Sequence, residues 1–518
     1  MFADSVDSDI APSGTLLGLL QRGRGDGTLH ALAAPRAEAL AALSHCLRCD
    51  PRRDWRLEHR SLYYARLHVE LDAGLDDIEE HLFGPDDLTD GGEERTGLAL
   101  SVLGHLASYG DRGALLLLRR YASRGANWRW ALDELAVRDD DAGLRPLGPA
   151  VLARFPRTPE GDAELAAAVR DAFEPRPWRL WAEDPARPEQ GERLGRAREQ
   201  GSFGRWQRQM RPAGPRPGWS VRAVLDWAQE GDPLLSTAHP AADGPLASAS
   251  AGSAVPMAAP GPDPRHREAA AARCLTAVAG PDDRPELLDA ARSGPDIARA
   301  VALRHLAERG DPAALDLIEA AAGDPAADPA GLAGGPSGTV ARAALDALSR
   351  TRGTAALERA RRWARREDPL GTAAATLLAC HGAERDAPLV LAALRRTVRA
   401  EGPDSDALWP LVDGAGRLAV HRAAPLLRHV YRETASSQLR GRAARALAAT
   451  DPAFAAGFAI ECLWDCEEST REIAARHAAT GDTRVVERLR RLAADPAEEE
   501  GVQSAVRGRL GSGGAAAR

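Results

Sequence analysis

Apolar residues recur along this chain at helical spacing in segments of about 10 to 16 residues, and Gly, Asp or Pro interrupts each segment. Ala300, Leu303 and Leu306 lead into Gly310-Asp311-Pro312, after which Leu315 and Ile318 begin a new stripe. The same phrase recurs three more times. Leu100, Leu103 and Leu106 precede Gly110-Asp111 and then Leu115 and Leu118; Ala344 and Leu348 precede Gly353-Thr354 and Leu357; Ile473 and His477 precede Gly481-Asp482-Thr483, Val485, Val486 and Leu489. Each phrase predicts a helix, a tight turn and a second helix. The glycine can take the left-handed conformation that ends the first helix, and the following Asp or Thr can accept the free amides that open the second. No convincing run alternates β-branched and polar residues, so the expected fold class is all-α.

A single hairpin cannot hide its own apolar stripe, so neighbours have to stack into an α-solenoid. The pattern resembles the HEAT-like repeat in the short form of the phycobilisome-lyase type. It covers residues 93–173 and 263–495, with a less regular helical start over 35–82. Activity is not implied by the resemblance, because that family includes scaffolds, chromophore lyases, a DNA-glycosylase branch and an iron-dependent hydroxylase. The glycosylase branch places tryptophans, an Asp and an Arg in its concave groove, and no such trio maps onto named positions here. The hydroxylase branch is disfavoured, since paired His-Glu steps at corresponding helix positions are missing.

Composition sets the breaks between segments. Residues 1–14 and 511–518 are small and polar and are expected to fray. Residues 15–173 form the first helical segment and 263–510 the second. Residues 232–262, rich in Ala, Ser, Pro and Gly, read as a flexible linker, and 324–338 as a lengthened loop. Between the segments, 174–231 forms an insert holding five of the eleven tryptophans.

Charge and composition then exclude several chemistries. The chain has 518 residues, a net charge of -8 and no lysine, so all 67 basic residues are arginine. Schiff-base chemistry and a Walker-type phosphate lysine are therefore excluded. Asparagine occurs once, at Asn127, and isoleucine six times, which is the signature of GC-rich coding rather than of function. Six cysteines are too few for a disulfide scaffold. With no apolar leader and no membrane-length apolar run, a cytoplasmic protein is expected. No cofactor fingerprint is present, and no cofactor is expected.

The most ligand-like stretch is 193–222, where eight arginines face one acid, Glu199, for a local charge of +7. Within it Arg205, Trp206, Arg208, Arg211, Arg216 and Trp219 form the candidate binding cluster. Residues 210–219 should be an extended, turn-rich strip. Guanidinium forks beside stacking surfaces suit carboxylates, phosphates or bases. The competing reading is an internal strap on residues 71–94, which carry ten acids and no arginine. Nucleic acid is the less favoured partner of this strip, a protein partner the more favoured.

Smaller features have structural explanations. His45-Cys46 with Cys49 is at most half a zinc site, and the other close pair, Cys462 and Cys466, is expected at the opposite end of the stack. Asp139-Asp140-Asp141 reads as helix capping, and Arg24-Gly25-Asp26 as a chance match in a Gly-rich loop. Trp128 and Trp130 open one helix but lie two apart, so they point apart, one toward the core and the other toward the concave surface. The expected function is a non-catalytic protein-binding scaffold; the rival is a HEAT-like enzyme, such as a lyase or a DNA-lesion glycosylase.

Overall fold

The computed structural model of the protein describes residues 10–52, 58–88, 92–210, 218–230, 264–322 and 336–515. They form an all-helical fold with no strand among them. The chain divides into two compact units, one made of Met1–Gln209 with Glu401–Arg518 and the other of Met210–Ala400. In the second unit, helices Pro264–Val278, Asp296–Glu308, Pro336–Arg350 and Pro369–His381 pack side by side in that order, and the helix after each covers its neighbour. The first unit repeats this arrangement twice. Ser61–Glu70, Glu93–Ser108 and Trp128–Arg138 form one row, and Leu408–Arg417, Ser437–Thr450, Glu468–His477 and Glu500–Ala515 another.

Two of the four expected turns, at Gly110 and Gly310, are built as the sequence predicts. Gly110 and Gly310 have φ of 92° and 69°. In each turn the glycine amide and the next one bond back into the last helical turn: Gly110 N to Ala107 O and Asp111 N to Leu106 O, then Gly310 N to Ala307 O and Asp311 N to Leu306 O. Asp111 then accepts the amide of Ala114, opening the next helix. Gly353 is also left-handed, but Thr354 lies inside the helix it was expected to cap. Gly481 is not left-handed; its aspartate, Asp482, caps by itself.

Residues 10–109 and 401–515 belong to the same unit, and arginines hold them together. Arg60 is fully buried and donates to the carbonyls of Gln21 and Ala435 and to Glu58. Arg440, equally buried, reaches Asp465 at 2.8 Å and the sulfur of Cys466 at 3.2 Å. Arg66 grips Asp495 and Glu498, each at 2.9 Å, while Arg471 holds Glu498 from the other side. Buried charges survive only when paired in this way.

Several expectations change. Cys466 is far from the opposite end of a stack, because its amide donates to Gly23 O and it shares a core with Cys46. The stretch 263–510 is split between the units at residue 400, and 174–231 at residue 209. Residues 11 and 13, placed in the frayed end, are bonded to Gln21 and Glu433, and the final helix runs to Ala515. Arg24-Gly25-Asp26 opens a helix rather than lying in a loop, with Arg24 buried and bound to Asp26 and Arg432 O. The expected linker 232–262 lies outside the described residues, as does most of the loop 324–338.

Candidate functional site

A half-open cavity of about 790 Å³ lies in the first unit, walled by helices Glu93–Ser108, Trp128–Arg138 and Pro159–Asp171 and by the segment around Phe173. Its floor is one helix laid on another. Glu93–Ser108 presents Gly97, Ser101, Gly104 and Ser108 at spacings of four, three and four, and Trp128–Arg138 lays Trp130, Glu134 and Arg138 across them. A Cβ on Gly97 would sit 3.0 Å from the Trp130 ring, and one on Gly104 would strike Glu134 Oε2 at 2.2 Å. The polar atoms on this face satisfy one another. The Trp130 indole donates to Ser101 Oγ at 2.9 Å, Ser101 donates to Glu134 at 2.6 Å, and Arg138 binds Glu134 at 2.5 Å and Ser108 at 3.0 Å.

Trp128 is the fixed wall. It is 8% exposed, packs edge-on against Phe155 and Trp178, and has the guanidiniums of Arg129 and Arg154 at 5.3 and 5.5 Å from its ring centre. The turn before it is locked by Asp87, a buried carboxylate that accepts from Tyr121 Oη, Ala126 N and Arg95. Trp128 is buried and Trp130 half-buried, and both border the cavity.

Two titratable groups stand out. Burial pushes the Asp133 carboxyl up to about 6, and the neighbouring carboxylates Glu174 and Glu134 add to the rise; its bond is to the amide of Glu174 at 3.4 Å. His105 lies behind Ser61 with Nε2 3.1 Å from Ser61 Oγ, and burial lowers it to about 4, with Arg138 and Arg66 adding to the fall. Its Nδ1 is buried, with no partner among the described residues. A serine nucleophile needs a base near neutrality and a third group orienting that base, whereas burial lowers this imidazole well below neutrality.

The sequence-derived cluster is placed differently. Arg205, Trp206 and Arg208 lie on helix Pro188–Met210, with side chains outside the described residues, as are Arg211 and Arg216 altogether. Trp219 is half-buried ahead of helix Val221–Glu230. Residue 210 is helical rather than extended. The internal strap is not supported by the described arginines. Arg193 binds Asp162 and the carbonyls of Phe155 and Pro156, while Arg196, Arg198 and Arg222 are exposed. In the acidic stretch Glu79 pairs with Arg120 and Asp87 with Arg95. Cys46 is buried and Cys49 exposed, and no metal-holding cluster occurs among the described residues.

Sequence reading singled out Trp128 and Trp130 but missed Asp133, Glu134, Arg138 and Phe173. The available signal was the small-residue ladder at 97, 101, 104 and 108 facing a ladder of large residues. Comparison with protein-family models, curated proteins and solved structures finds no match to this chain. No helix among the described residues is long and apolar enough to cross a membrane.

Proposed function

We propose that the chain is a non-catalytic protein-binding scaffold, in which HEAT-like hairpins stacked as an α-solenoid display the Trp128/Trp130 cavity to a partner protein. The observation that carries this reading is the state of the cavity's own groups. Its Ser101, Glu134 and Arg138 side chains are bonded to one another, while Phe173 and Val137 on its wall are 82% and 62% exposed. Large apolar side chains left in water beside a preformed concavity are the usual anchor of a partner's side chain. A cytoplasmic setting fits the six free cysteines.

Photo-crosslinkers at Val137 and Phe173 test the reading. One partner should be trapped from cells at both positions and not at Leu116, an equally exposed residue on helix Arg112–Arg124. Equal trapping at Leu116, or none anywhere, removes the proposal.

The enzymatic reading draws on one observation: the cavity gathers Trp128, Trp130, Asp133 and Arg138, the residue types that the glycosylase resemblance implies. Against it, the arginines of the wall are matched by Asp133, Glu134 and Asp171, which leaves no positive floor for a phosphate backbone. Duplex binding that falls steeply with salt, together with base release, would favour this second reading.

A further inference from the structure

Across Trp178 from the cavity lies a second cleft of about 200 Å³, whose charged lining among the described residues is basic: Arg170, Arg179 and Arg198. They come from three helices, Pro159–Asp171, Arg176–Ala182 and Pro188–Met210. Close packing fixes their spacing, since a Cβ on Gly201 would stand 3.1 Å from Ala166 O and 3.2 Å from the Cβ of Arg170. Arg170 is committed to Asp171 through two bonds. Arg179 and Arg198 are exposed and make no ion pair among the described residues.

Trp178 borders both hollows, and the segment 171–175 runs between them. Phe173 lies on the cavity side and Pro175 on the cleft side. One surface therefore offers, side by side, an aromatic hollow whose arginines and carboxylates balance and a cleft edged by the exposed guanidiniums of Arg179 and Arg198. We propose that it binds an acidic peptide segment, with an apolar side chain seated against Trp130 and Phe173 and a neighbouring Asp or Glu held by Arg179 and Arg198. The proposal rests on the scaffold reading and adds the class of partner.

The distribution of charge favours peptide over nucleic acid. A phosphodiester chain carries a charge at every step and would find no net positive track in the hollow, where Asp133, Glu134 and Asp171 offset Arg52, Arg129 and Arg138, whereas a peptide can place its acids singly at the cleft and leave its anchor uncharged. Guanidinium forks bind carboxylates through two parallel bonds, which suits the paired arginines of the cleft.

The test is selection of short random displayed peptides on the full-length protein. The expected pool carries an aromatic or large aliphatic residue flanked by Asp or Glu. Its affinity should fall about tenfold or more when Arg179→Glu and Arg198→Glu are combined, and by a similar factor with Phe173→Ala. All three positions are exposed, so folding should be unchanged, as thermal melting would verify. A pool lacking acids, sensitive to Phe173→Ala but indifferent to the arginine reversal, would overturn the acidic-peptide inference and leave the scaffold intact. No enrichment at all would sink both. Displacement of the selected peptides by oligothymidine, at lower concentration than by the free peptide, would transfer the cleft to nucleic acid.

Discussion

The backbone amide of Cys466 donates to the carbonyl of Gly23 at 2.9 Å, and the sulfur of the same cysteine occupies the space a side chain on Gly23 would need. Gly23 has φ of 67°, and a Cβ there would lie 2.4 Å from Cys466 Sγ. Gly23→Ala therefore meets both backbone strain and overpacking and should cost about 2 to 4 kcal/mol, read as a lower denaturation midpoint. Gly195→Ala is the control. Its site is mid-helix with nothing among the described residues within 4 Å, so that variant should gain about 0.5 to 1 kcal/mol.

Glu498 joins the two ends of its unit by accepting Arg66 and Arg471 together, and those guanidiniums hold its carboxyl down to about 2 despite burial. A depressed acid stabilises the fold above its unfolded value of 4.5 and loses that contribution as pH falls toward 2. Glu498→Gln should cost about 3 to 5 kcal/mol at neutral pH, because two arginines lose their buried counter-charge. The gap to wild type should close steadily as the pH is lowered through that window. A gap unchanged in acid would show that the carboxylate charge is not what holds the ends.

Asp133 runs the other way. Its folded value of about 6 exceeds the ordinary 3.8, so the fold favours the protonated acid and loses stability as pH rises from about 4 through 6. Asp133→Asn should remove that slope, and the variant should gain up to about 2 kcal/mol relative to wild type at neutral pH. Parallel unfolding curves for the two proteins across this range would contradict the buried position of the carboxyl.

His105 should stay neutral down to about pH 5, since burial and two nearby arginines lower it to about 4. Imidazole proton shifts followed by NMR would register this directly. A His105 that titrated near 7 would restore a serine-base reading for Ser61.

What the sequence disclosed follows from how local each signal was. Gly110-Asp111 and Gly310-Asp311 were legible because a left-handed glycine followed by a capping aspartate fixes a turn within six residues, whatever surrounds it. Arg60 and Arg440 were not. In a chain with no lysine and 67 arginines, a buried clasp and a solvated surface charge are written with the same letter. Asp87 was hidden for a related reason: among ten acids it looked like surface, yet it is buried and anchors the turn that aims Trp128. The cavity floor failed to register because Gly97, Ser101 and Gly104 carry no chemistry themselves, and their meaning comes only from Trp130 and Glu134 lying on them.

The gripping of residues 21–66 by 435–498 also sets an order of assembly on the ribosome. Arg60 and Arg66 emerge long before Ala435, Asp495 and Glu498 exist to receive them. The helices that carry Arg60 and Arg66 must therefore wait with their charges in water until residues 435–498 have been made, while Met210–Ala400, a compact unit by itself, is synthesised before those partners. The unit of residues 210–400 should mature before the one that joins 1–209 to 401–518.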